Sequence, residues 1–98
     1  MKSFKLGNDV YLEFVVKVNR RPALIIQVSG ELYRNGEYLR PFTATNSGSR
    51  VSGIIKSDAF TTIGDYDAKF GVSIDGMGKK EYAMPFKITE SVLGKRRQ

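Results

Sequence analysis

The stretch Ile63-Gly64-Asp65-Tyr66-Asp67-Ala68-Lys69-Phe70-Gly71-Val72-Ser73-Ile74-Asp75-Gly76 decides the fold. From Tyr66 to Ile74 the apolar residues Tyr66, Ala68, Phe70, Val72 and Ile74 share one parity, against Asp65, Asp67, Lys69, Gly71 and Ser73. Side chains alternate across a strand, so this period of two specifies one buried and one wet face. The chain turns at Asp75-Gly76 and returns with Tyr82, Met84, Phe86 and Ile88 on one parity, completing a hairpin that ends at Ile88. Pro85 lies within the returning run, which is therefore bulged there or exposes Pro85 at an edge.

Outward from this hairpin, the same alternation recurs. Val10 to Val18 reads as one long strand, and Asn19-Arg20-Arg21-Pro22 breaks it, because proline lacks an N–H. Ala23 to Val28, apolar except for Gln27, suits a central strand, with Ser29-Gly30 as a bulge or change of direction. Asn35-Gly36 separates Glu31–Arg34 from Glu37–Arg40 and marks a type I′ hairpin turn, with Pro41 at the end of an edge strand. Lys2 to Asp9 reads as a lead-in that turns at Gly7-Asn8-Asp9. Val51 to Ile55 is a short strand, and Ser57-Asp58-Ala59-Phe60 forms a turn or one helical turn. No helical period of useful length and no internal repeat occurs.

The stretch Thr43 to Arg50, small and polar without a period, reads as the longest loop. Thr43, Thr45, Asn46, Ser47, Ser49 and Arg50 are its candidate interaction residues.

Seven or eight short strands separated by turn signals fit a β-sandwich or a small barrel. Gly64-Asp65-Tyr66-Asp67-Ala68 favours an all-β, immunoglobulin-like antiparallel sandwich. In such sandwiches a tyrosine near the start of one strand bonds backbone across a sheet corner, two residues before a core position. Tyr66 is the candidate corner tyrosine, and Ala68 occupies the place a cysteine holds in antibody domains. At 98 residues the chain is read as one sandwich domain over residues 1–91, followed by a basic tail over 92–98 that includes Lys95-Arg96-Arg97.

The sequence has no cysteine and no histidine, which removes disulfides, thiolate ligands, the usual zinc ligands and the usual general base near neutral pH. Serine and threonine nucleophiles therefore lack a base, and no Gly-x-Ser-x-Gly elbow occurs. Gly76-Met77-Gly78-Lys79-Lys80 lacks the spacing of a phosphate loop and has no helix after it. Asp65, Asp67 and Asp75 read as a cluster near one end of the hairpin, but without calcium-loop spacing, so no metal is assigned. The expectation is a non-enzyme with no catalytic, cofactor or metal residue.

The formal charge is +6, with clusters at Arg20-Arg21, Lys79-Lys80 and Lys95-Arg96-Arg97. It raises the prospect of an anionic partner, although the charges are dispersed along the chain. Tyr11, Tyr33, Tyr38 and Tyr82 with Arg20, Arg34 and Arg40 would suit single-stranded nucleic acid if gathered on one sheet face. RNA-recognition signatures are missing, and Tyr82 shares the core parity. The N-terminus shows no apolar signal segment, and no stretch suits a membrane span.

The opening Phe4-Lys5-Leu6-Gly7-Asn8-Asp9-Val10-Tyr11-Leu12-Glu13-Phe14 resembles the start of small immunoglobulin-like structural proteins of phages and prophages from gut bacteria. Gly64-Asp65-Tyr66 followed by the alternating run to Ile74 is similar to their later Gly-x-Tyr strand. The layout resembles the N-terminal domains of baseplate upper proteins and fibre adaptors, while Ala23 to Phe60 is unmatched, Ala23-Leu24-Ile25-Ile26 standing where the relatives have an Asp/Gly-rich strand. The resemblance implies a non-enzymatic virion module of a tail, baseplate or fibre. Such a module would be made in the host cytoplasm, contact other virion proteins and form an oligomer. The alternatives are a basic nucleic-acid-binding β domain and a carbohydrate- or surface-binding sandwich of the host.

Overall fold

The computed structural model describes residues 1–90; the basic tail read at 92–98 lies outside them. The strands are β1 (Lys2–Lys5), β2 (Val10–Val15), β3 (Lys17–Val18), β4 (Arg21–Pro22), β5 (Ile25–Arg34), β6 (Glu37–Ser47), β7 (Arg50–Ile55), β8 (Gly64–Ile74) and β9 (Gly78–Thr89). A 3-10 turn, Ser57–Ala59, precedes β8. The hydrogen-bonded order is β1-β9-β8-β5-β6-β7-β2, with β3 and β4 forming a separate two-stranded ribbon. The fold is an all-β, immunoglobulin-like sandwich. Its strand pairs are antiparallel except β1 with β9, which run parallel.

The two layers are joined through β6. Residues up to Phe42 pair with β5, and residues from Thr43 onward pair with β7. This crossing needs space, and two glycines supply it. A Cβ on Gly30 would lie 2.4 Å from the Phe42 ring, and one on Gly53 would lie 2.7 Å from it and 2.8 Å from the Phe70 ring. Gly30 is thus neither bulge nor bend; it stays in register opposite Phe42 and Phe70 and gives up its side chain to Phe42.

Phe70 anchors the core from the middle of β8. Phe14 of β2 meets it edge-on at 5.0 Å, and Phe42 does so at 5.1 Å. Burying a side chain of this size is worth about 1.5–3 kcal/mol, and edge-to-face geometry adds to it. The alternation read from Tyr66 to Ile74 is fully realised: all five apolar residues are buried. The turn closing this hairpin is Asp75-Gly76-Met77, where the Met77 N–H donates to the Ile74 carbonyl at 3.0 Å. Asn35 and Gly36 both adopt positive φ (52° and 79°), as a type I′ turn requires.

Several sequence expectations are corrected. Lys2–Lys5 is a strand rather than a lead-in, held by Phe4 packing edge-on against Phe86 at 5.8 Å. Val10 to Val18 is not one strand. Its partner β7 begins at Arg50, so Val16 leaves the ladder, donating to the Ser49 carbonyl and accepting from the Ala23 N–H. Its side chain still keeps the core parity and is buried.

Arg21-Pro22 does not simply end a strand, because it pairs with Lys17–Val18 around an Asn19-Arg20 turn. The strand does not stop at Pro41; Pro41 sits in a section of β6 that pairs with β5 alone. Ala23–Val28 is less central than its composition suggests, since Leu24 and Ile26 are 68% and 66% exposed.

Candidate functional site

The largest correction concerns Thr43, Thr45, Asn46, Ser47, Ser49 and Arg50, which the sequence places in one long loop. Thr43–Ser47 is the second half of β6 and Arg50 opens β7, so the connection is only Gly48-Ser49. Gly48 supplies φ +60°, and the Asn46 side-chain amide donates to its carbonyl at 3.0 Å. The sequence looked irregular because Thr43, Thr45 and Ser47 alternate on the solvent face of a hairpin. A wet face needs no apolar marker, while β-branched threonine suits a strand. Ser49 is engaged through its carbonyl, which accepts from Val16 at 2.9 Å. Thr43, Thr45 and Ser47 therefore line one polar strand face, while Asn46 braces the tight turn at its end, Ser49 lies in that turn and Arg50 opens the next strand.

Tyr66 lies at the start of β8 with its ring buried between neighbours. The ring stacks on Phe86 at 5.8 Å and meets Phe60 edge-on at 5.1 Å. Its hydroxyl donates to the Thr62 carbonyl four residues upstream, at 2.8 Å, tying the segment that crosses between layers to the strand it enters. Arg34 covers the same ring at 5.7 Å. Ala68 is fully buried opposite Leu32.

The tyrosines proposed as a stacking platform are dispersed. Tyr33 and Tyr38 meet edge-on at 5.7 Å on the outer face of the β5–β8 layer, with Lys69 over the Tyr33 ring at 4.2 Å. Tyr11 is on the outer face of the other layer, its hydroxyl donating to Glu13 at 3.0 Å. Tyr82 faces inward and packs on Phe14 at 5.4 Å. The alternation of β2 and β9 places these rings on different surfaces, so they form no common face.

The three aspartates are separated as well. Asp65 and Asp67 lie at the start of β8, whereas Asp75 follows its end, about 30 Å away at the rise of an extended strand. Asp65 faces Lys87 at 4.0 Å. Among the described residues no group of three or more acidic side chains is arranged to hold a metal.

What the fold leaves open is backbone. Among the described residues, β2 is bonded to β7 on one side and to no strand on the other. β1 reaches only Phe86–Thr89, so among the described residues Gly78–Pro85 of β9 is paired with β8 alone. β5 meets β6 only from Gly30 onward, leaving Ile25–Ser29 paired with β8 alone. The open edges of β2 and β9 run along the same side of the sandwich, where Phe14 and Tyr82 bring the two layers together. Pro85 thus falls within the singly paired section, where its missing N–H is tolerated.

No family model matches the chain, and no curated protein matches it. Among solved structures it is similar to the twitchin kinase region from C. elegans (Fn31-NL-kin-CRD-Ig26), with a TM-score of 0.52 and 12% identity. The likeness covers 90% of this chain and 15% of that one, and at this identity it speaks to fold alone. No helix among the described residues is long and apolar enough to cross a membrane.

Proposed function

We propose that this chain is a non-enzymatic structural or adaptor module of a phage or prophage virion, working in a tail, baseplate or fibre through protein–protein contacts. The observation that carries the reading is the backbone edge along β2 and along Gly78–Pro85 of β9 that no other described residue pairs. Unpaired strand edges are templates for strand addition, one of the recurring ways in which a β module docks a partner. The resemblance of Phe4–Phe14 and Gly64–Ile74 to phage immunoglobulin-like proteins supplies the context. The partners are then other virion proteins or further copies of the chain, met after synthesis in the host cytoplasm. Mass spectrometry of purified particles tests it. The chain should co-purify at a fixed ratio to tail proteins, and its absence from particles would count against the reading.

A second reading, nucleic-acid binding, is favoured by the basic balance of the chain. Binding to single-stranded DNA that weakens steeply with salt, as counterion release requires, would support it instead.

A further inference from the structure

Charges dispersed in sequence are gathered in space. The β3–β4 ribbon, the Gly48-Ser49 turn and the Asp75–Met77 turn all lie at one end of the sandwich. Three backbone bonds fix this: Val16 to Ser49, Ala23 to Val16, and Asp75 to Leu24. That end holds Lys17, Arg20, Arg21, Arg50, Lys79 and Lys80 against Glu13, Asp75 and Glu81, while the rest of the described chain carries seven charges of each sign.

The ion pairs are distributed in the opposite sense. Asp9–Lys56, Arg40–Asp58 and Asp65–Lys87 lie towards the far end, and at the basic end Arg50 meets Glu13 at 3.3 Å. Among the described residues Lys17, Arg20, Arg21, Lys79 and Lys80 take part in no ion pair. This end also carries the open stretch of β9, in which Lys80, Tyr82 and Met84 face the opposite layer while Lys79, Glu81 and Ala83 face out.

We propose that the basic end receives an extended, acidic segment of a partner protein, which adds as a strand to Gly78–Met84 of β9. The segment's carboxylates meet the outward-facing Lys79, while Lys80 and the cations of the β3–β4 ribbon add to the attraction at that end. Its apolar residues lie beside the half-buried Tyr82 and Met84. Strand addition stops at Pro85, which has no N–H to offer, and at Phe86, where β1 already pairs.

The same features weigh against other occupants. Lysines along an edge discourage pairing with a second copy of a basic chain. Nucleic acid would find little stacking surface along β9 itself, since Tyr82 is turned onto Phe14. A bilayer offers no partner for unpaired strand groups.

The test is an NMR titration of the isotopically labelled full chain with three probes: a capped octapeptide alternating glutamate and valine, the oligonucleotide dT12, and phosphatidylglycerol vesicles. The acidic peptide should bind and slow hydrogen exchange at amides between Gly78 and Met84. A lysine–valine octapeptide should not bind. The exposed double variant Lys79→Glu/Lys80→Glu should weaken binding at least tenfold. No peptide binding, binding without protection of β9, or tighter binding of dT12 or the vesicles would each overturn the proposal. It rests on the protein-docking reading. Preference for dT12 would count against both, whereas peptide failure with retained docking of a whole virion protein would remove this proposal alone.

Discussion

The Phe42 ring occupies the space that a side chain on Gly30 would need, with 2.4 Å between a built Cβ and its nearest ring carbon. β6 can change layers at this point because β5 offers a bare backbone there. Gly30→Ala should therefore lower stability by about 1–3 kcal/mol, the range for overpacking a close-packed core. Urea unfolding followed by fluorescence measures it. Combining Gly30→Ala with Phe42→Leu should recover part of the loss, because the two sites share one space and their effects are not additive.

Tyr66 separates two contributions at one position. Tyr66→Phe keeps the stacked ring and removes the bond to the Thr62 carbonyl. It should cost about 0.5–1.5 kcal/mol, the net worth of one hydrogen bond. Tyr66→Ala also empties the space beside Phe60 and Phe86 and should cost about 3–5 kcal/mol. Equal losses for the two variants in chemical denaturation would show that the ring contributes nothing beyond its hydroxyl.

Arg20 adopts φ +65° in the turn of the β3–β4 ribbon, a conformation that costs a residue with a Cβ roughly 1–2 kcal/mol. Arg20→Gly makes the turn Asn-Gly, the preferred type I′ pair. It should raise the thermal midpoint, with a net gain of about 0.5–1 kcal/mol after the extra chain entropy of glycine is subtracted. Differential scanning calorimetry gives the sign.

Phe4 holds β1 to the sandwich through Phe86. Phe4→Ala should increase hydrogen exchange at Lys2–Lys5 and Phe86–Thr89 well before global unfolding, since short terminal strands open locally at low cost. Unchanged exchange there would mean that the parallel backbone pairing holds β1 without the ring.

The β8–β9 hairpin was legible because both of its runs bury one face, and burial writes itself into sequence as alternation. Asn35-Gly36 was legible because its turn type demands positive φ. Thr43–Arg50 was not, because its outward residues meet water and carry no apolar mark. Gly30 and Gly53 gave no clear signal either, since what they accommodate is a ring brought from another strand. The basic end could not be read from Arg20-Arg21 and Lys79-Lys80 alone, which are far apart in the chain and are brought together by tertiary pairing, including the Asp75 to Leu24 backbone bond. The open edges were equally hidden, because a missing neighbour leaves no trace in the strand that lacks it.

The proposed role of the chain is docking by protein contacts. It is tested most directly by light scattering on size-exclusion fractions of the chain mixed with the products of its neighbouring genes. The expected result is a complex of defined mass with a virion protein, or a self-assembled oligomer. A strictly monomeric chain that elutes apart from every such product would contradict it.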